Sequence, residues 1–126
     1  MTGAVVDAIT LMLPLPISIN HYWRRAYGRM ILSQAARQFT REVWVVVHTA
    51  WPAQIPRPLR GALELTITLH APDRRVRDLD NCAKSVQDAL MKAGAFADDH
   101  QIDALHVLRG ACQRPGCAVI TLDMLR

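Results

Sequence analysis

Between Ala62 and Ala71 the chain alternates without a break. Leu63, Leu65, Ile67 and Leu69 fall on one side, and Glu64, Thr66, Thr68 and His70 on the other. A period of two sustained over that length is a half-buried β-strand, because successive side chains on an extended backbone point to opposite faces. One face must then be covered by apolar segments from elsewhere, which commits the chain to a layered fold. Pro72 ends the strand. Directly after it comes Asp73-Arg-Arg-Val-Arg-Asp-Leu-Asp-Asn-Cys-Ala-Lys84, in which three arginines run into two aspartates spaced two apart and a lysine follows.

Two segments can supply the cover. Ser33 suits the N-cap of a helix reaching about Ala50, and Ala36, Phe39, Val43, Val46, Val47 and Ala50 recur at three and four residues along it. The β-branched run Val45–Val47 works against helix there. Asn81 can cap a second helix to about Ala93, with Gly94 as its stop. Cys82, Val86, Ala89, Leu90 and Ala93 form its buried stripe, and Lys84 lies roughly opposite. That lysine is free to face a ligand, or to pair with Asp88 one turn on for a few tenths of a kcal/mol. Ala8–Leu13, Ile102–Arg109 and Ala118–Leu125 read as further strands, the last two joined by a loop with Pro115-Gly116 at its tip. Pro52–Pro58 is a connector. The element order β-α-β-α-β-β predicts a single α+β domain over residues 1–126, a mixed sheet with helices packed on it.

The chemistry gathers around the acids. If Arg77–Asp80 is extended, Asp78 and Asp80 point to the same side about 6.6 Å apart, a pair of hard oxygen donors suited to Mg²⁺. The adjacent Arg74, Arg75 and Arg77 attract phosphate. The competing reading pairs Asp78 and Asp80 with Arg75 and Arg77 as surface ion pairs, each worth under about 1 kcal/mol. Asp98 and Asp99 stand at a helix-to-strand turn, where acids commonly serve the turn; near the first pair they would complete a metal site. From Pro16 to Arg29 aromatic residues alternate with arginines. Asn20, Trp23, Arg24, Arg25 and Arg29 suit contact with bases and phosphates, and a surface loop folded onto the core is the plainer alternative.

Charge agrees with a polyanionic partner. Fifteen Lys and Arg oppose eleven Asp and Glu. If Asp78, Asp80, Asp98 and Asp99 share one site, only seven acids remain to balance the rest of the surface. The three cysteines, Cys82, Cys112 and Cys117, are odd in number and follow no signal peptide, so reduced thiols in a cytoplasmic protein are expected. No apolar run reaches membrane-span length, and no glycine-rich phosphate loop or nucleophile elbow points to small-molecule chemistry.

Asp73-Arg-Arg-x-Arg-Asp-Leu-Asp-Asn-x-x-Lys, then Asp88-Ala-Leu-x-Lys-Ala-Gly, then Asp98-Asp99-x-Gln101, resembles the RusA-type Holliday-junction endonucleases. Leu15-Pro16-x-Ser18-x-Asn20 is similar as well, so the match covers nearly the whole chain. The resemblance implies a small homodimer that cuts four-way DNA junctions by paired nicks, found in bacteria and in phage or prophage genomes. It implies Mg²⁺, with Mn²⁺ able to substitute. It assigns Asp78, Asp80 and Asp99 as catalytic, metal-holding acids and Lys84 as the catalytic lysine, with Asp98 beside them. Arg77 falls in the basic run used near DNA. Two rival functions remain: a non-catalytic binder of branched DNA, and a metal-dependent nuclease acting on flaps, single strands or RNA.

Overall fold

The computed structural model describes residues 8–18, 21, 23–75 and 77–125. The alternating segment forms β4 (Leu63–His70) with the expected faces, since Leu63, Leu65, Ile67 and Leu69 are all buried. It lies inside a four-stranded sheet of order β1-β6-β4-β5, where β1 is Ala8–Pro14, β5 Ile102–Arg109 and β6 Cys117–Met124. β6 pairs antiparallel with both β1 and β4, whereas β5 pairs parallel with β4. A parallel neighbour needs a crossover, and α2 (Asp80–Lys92) provides it. That connection carries the arginine–aspartate stretch from the carboxyl end of β4 to the start of the helix.

α1 (Gln34–Ala50) begins where expected: the Ser33 hydroxyl accepts from the Ala36 amide at 3.1 Å. Ala36, Phe39, Val43 and Val47 are buried, and Ala50 is exposed. The interior face contributed by Phe39, Val43 and Val47 joins Val86 and Leu90 of α2 over Leu11, Ile67 and Ile120 of the sheet. The opposite sheet face is mixed, with Thr10 against Thr121 and the His106 ring on Glu64 beside exposed Met12 and Leu108. This is the usual economy of a sheet covered on one side.

The expected order β-α-β-α-β-β describes the sheet and helices. A two-stranded hairpin is added to it, β2 (Trp23–Ala26) and β3 (Arg29–Leu32), beginning in the Pro16–Arg29 stretch read as an aromatic and basic loop and running past its end. The start of α2 also differs. Leu79 is already helical (φ −63°, ψ −41°) and Asp80 is the first helical residue, so Asn81 lies inside the first turn and does not cap it. For the same reason Arg77–Asp80 is not an extended run. Asp78 and Asp80 flank a helix N-terminus, where the aligned peptide dipoles favour negative charge. The helix ends at Lys92, with Ala93 as C-cap and Gly94 left-handed at φ +87°.

Candidate active site

The stretch between β4 and α2 is held from beneath by the β5–β6 loop. The Gln113 amide donates to the Ala71 carbonyl at 2.9 Å, Arg114 Nε to Pro72 O at 3.2 Å, and the Cys112 thiol to Asp73 O at 3.5 Å. Gly110 makes this return possible. Its amide donates to Leu69 O at 2.7 Å, and a Cβ at that position would run into the His70 ring. Cys112, expected from the sequence only to be a reduced thiol, thus takes part in the packing of the site loop.

Asp73 is the internal clamp of that loop. Its carboxylate accepts from Arg77 Nη1 at 2.8 Å and from the Arg75 amide at 3.0 Å, with Arg75 Nε at 3.6 Å. The Arg77 hydrogen bond, followed by the Arg75 amide, lowers the Asp73 carboxyl to about 2. Arg77 is therefore spent on bracing, and its own carbonyl accepts from Arg109 Nη2 at 2.6 Å. The alternative left open by the sequence is resolved here: the arginines pair with Asp73 and not with Asp78 or Asp80. Among the described residues Asp78 accepts one long bond, from Asn81 Nδ2 at 3.3 Å. Asp80 is exposed and has no hydrogen-bond or ion-pair partner among the described residues.

One turn into α2, about 6 Å along the axis from Asp80, Lys84 reaches Asp99 with an Nζ–Oδ2 distance of 2.8 Å. The Asp99 hydrogen bond raises the lysine above its ordinary value, so it is charged at neutral pH. The partner is Asp99 and not Asp88, which pairs with Lys92 at 3.0 Å. Asp99 opens a short 3₁₀ turn, Asp99–Gln101, whose geometry is set by its neighbours. Asp98 caps the turn through the His100 amide, and the Gln101 side chain returns to the Asp98 amide at 3.0 Å. Gln101 Nε2 also donates to the carbonyls of Leu59 and Gly61, tying the turn to the connector before β4. Behind these residues, buried Ser85 donates to the Ile17 carbonyl at 2.8 Å and fixes α2 to the segment after β1.

That segment closes a cavity of about 850 Å³ at the carboxyl ends of β4 and β5. Leu15, Ile17 and Leu69 line it together with Arg74, Arg75, Arg109 and Asp78. A carboxylate beside several guanidiniums, over apolar side chains, is a place for a phosphate and the nucleoside attached to it.

The sequence pattern of the family described as Endodeoxyribonuclease RusA matches residues 14–121. Crossover junction endodeoxyribonuclease RusA of Escherichia coli strain K12 is 32% identical over 117 residues, 93% of this chain and 95% of that protein. Proteins of the same name from Enterobacteria phages HK97 and 82 are each 32% identical; the aligned parts cover 79% and 89% of this chain, and 80% and 91% of theirs. The chain belongs to the RusA family.

A RusA nuclease implies a divalent metal ion, and the donors here suit one in kind. Asp78 and Asp80 are carboxylates close in sequence with no arginine ion pair among the described residues, and a hard cation such as Mg²⁺ needs only one or two carboxylates besides water and phosphate oxygens. The four acids expected to share one site are not gathered. Among the described residues no three acid, histidine or cysteine side chains stand together closely enough to hold an ion. Asp98 is the clearest departure: the His100 amide (3.0 Å) and ring (2.8 Å) occupy its Oδ1, because it serves as a cap. The Asp98-x-x-Gln101 spacing is a capping-box signature that carried this information in the sequence.

The residues expected on DNA divide likewise. Arg74 and Arg75 are exposed beside the cavity. Trp23, Arg24, Arg25 and Arg29 are exposed on the β2–β3 hairpin. Asn20 lies outside the described residues. Tyr27, one of the aromatics of the Pro16–Arg29 stretch, lies at the hairpin turn, a position that Tyr-Gly between two short runs did not announce. No helix among the described residues is long and apolar enough to cross a membrane.

Proposed function

We propose that this RusA-family chain is a Mg²⁺-dependent endodeoxyribonuclease that resolves four-way DNA junctions by paired nicks. The observation that carries the reading is the division of labour among the charges: Asp73 engages Arg77 at 2.8 Å and lies 3.6 Å from Arg75 Nε, which leaves Asp78 and Asp80 to a cation while Lys84 stands one turn away on Asp99. Asp78 and Asp80 would hold the metal ion, Asp99 would join them only once drawn off Lys84, with which it pairs at 2.8 Å, and Mn²⁺ would serve in place of Mg²⁺. When bound, the ion activates water toward the scissile phosphate and offsets its charge. Lys84 brings a permanent positive charge to the phosphoryl oxygens or the leaving oxygen. Arg74 and Arg75 hold flanking phosphates.

A two-fold dimer belongs to this reading, because two identical sites cut symmetry-related strands. β5 favours it as the joining surface. It is an outer strand with exposed Leu105 and Leu108, and such an edge invites pairing. Its sequence is also self-complementary. Antiparallel pairing centred on His106 sets Asp103 opposite Arg109 of a second copy, and Ala104 opposite Leu108.

The test is cleavage of a labelled synthetic four-way junction in Mg²⁺, beside linear duplex, with wild type and Asp80→Asn. Paired nicks confined to the junction and lost in the variant, with binding kept, are expected. Binding without cutting by wild type would replace the proposal with a structural binder, and equal cutting of all substrates with a general nuclease.

A further inference from the structure

We propose that the β2–β3 hairpin is a branch-opening finger, in which Tyr27 stacks on unpaired bases at the junction centre and the arginines behind it hold the backbones on either side. This rests on the junction reading above and adds a second DNA site to it. The turn is the first evidence. Tyr27 and Gly28 both have positive φ, 54° and 74°. Turns of this kind favour Asn-Gly or Asp-Gly, since a bulky side chain is crowded in the left-handed region. Tyrosine is thus a poor choice for the fold at this position.

It also makes no compensating contact with the core. Tyr27 is 93% exposed, the most exposed of the large apolar residues, and half-exposed Trp23 and Met30 lie behind it. The base of the hairpin, in contrast, is fixed. Ser33, the cap of α1, donates to His21 O at 2.7 Å, and Arg37 Nη1 donates to Leu32 O at 2.8 Å. Ile31 and Leu32 are partly buried there. An anchored base and a bare aromatic tip are what a wedge between bases requires.

The distribution of charge selects the substrate. Arg24 is paired with Ile31, Arg25 with Met30 and Ala26 with Arg29. Directly opposed residues share a face, so Arg24 and Arg29 lie on one face of the ribbon and Arg25 on the other. Positive charge on both faces suits a finger lying between two phosphate backbones, as at a branch, better than one lying flat on a duplex. His21, at the foot of the hairpin, lines the same cavity as Asp78, so the finger springs from the edge of the candidate active site. Bases at a branch have lost part of their stacking, which lowers the cost of displacing them.

The experiment uses the full chain carrying Asp80→Asn, so that the DNA is held uncut in Mg²⁺, and a four-way junction with 2-aminopurine beside the branch. Tyr27→Asn is the informative variant, because asparagine suits the turn and removes the ring. Binding is expected to brighten the probe. In Tyr27→Asn the brightening is lost and junction affinity falls roughly tenfold, the scale of one base–aromatic stack, while duplex affinity stays within about twofold. The variant should melt no lower than its parent, and Tyr27→Phe should keep the signal. Brightening and junction affinity unchanged in Tyr27→Asn would overturn the finger and leave the junction reading standing. A parent protein with no preference for the junction over duplex would overturn both.

Discussion

Lys84→Met separates chemistry from stability at the candidate site. The Lys84–Asp99 contact is short, 2.8 Å, but the two side chains are 58% and 35% exposed. Water and salt screen such a pair, so its loss costs under about 1 kcal/mol. In a chain of this length that is a drop of about 4 °C in melting temperature at most. Methionine keeps the apolar stem, which limits packing losses. Charge delivered to a phosphoryl oxygen in the transition state is worth far more, by analogy with the loss of one donor to a developing oxyanion, about 100- to 1,000-fold in rate. Single-turnover cleavage of a junction in Mg²⁺ should therefore fall by two to three orders of magnitude while the melting curve barely moves. A third readout follows from the contact itself. With Asp99 as the proposed metal ligand, Lys84 would compete with the cation for its carboxylate, so removing it should tighten Mg²⁺ binding, by up to about fivefold if the pair is worth 1 kcal/mol. Cleavage within tenfold of wild type would refute the catalytic role, and a loss of 10 °C or more would make Lys84 a structural residue.

Two further outcomes follow from the surrounding geometry. The Asp73 carboxyl is depressed from 3.8 to about 2, so the stability it contributes is present above pH 3.8 and is lost as pH falls through 2. Wild-type melting temperature should then fall more steeply than that of Asp73→Asn between pH 4 and pH 2; parallel slopes by circular dichroism would show that the arginine clamp is idle. Leu105→Lys together with Leu108→Lys places like charges along β5 and should shift sedimentation at micromolar concentration from dimer to monomer. A dimer that persists would move the interface to another surface.

What was legible in the sequence is what burial on one side imposes. β4, α1 and α2 each bury one face, and the alternation at Leu63–Leu69 or the spacing at Phe39, Val43 and Val47 records it directly. Lys84 was readable as outward-facing for the same reason. Its partner was not, because Asp99 comes from a turn fifteen residues on that is positioned by Gln101 and the Leu59–Gly61 backbone. The hairpin escaped because Trp23–Ala26 and Arg29–Leu32 are short and mostly exposed, so no buried face writes a period into them. Its shape is set by the left-handed turn, and Tyr-Gly hides a geometry that Asn-Gly would announce.

The acids show how motif and structure divide the evidence. Asp73, Asp78, Asp80, Asp98 and Asp99 are all aspartates in a basic neighbourhood, and composition treats them alike. Their hydrogen bonds do not. Asp73 and Asp98 accept from backbone amides within two residues, at Arg75 and His100, and each closes its own turn. Such short-range bonds lower the energy of the charged form locally and leave less of it for a cation or a substrate. Among the described residues Asp78 and Asp80 make no comparable bond, although they lie at a helix N-terminus. Asp99 spends its charge on a lysine, a partner that a cation can displace without unfolding anything. The candidate catalytic set is thus the subset of acids whose loss the fold can tolerate. That distinction makes the response to substitution informative, because removing Asp78, Asp80 or Asp99 should subtract activity without subtracting structure.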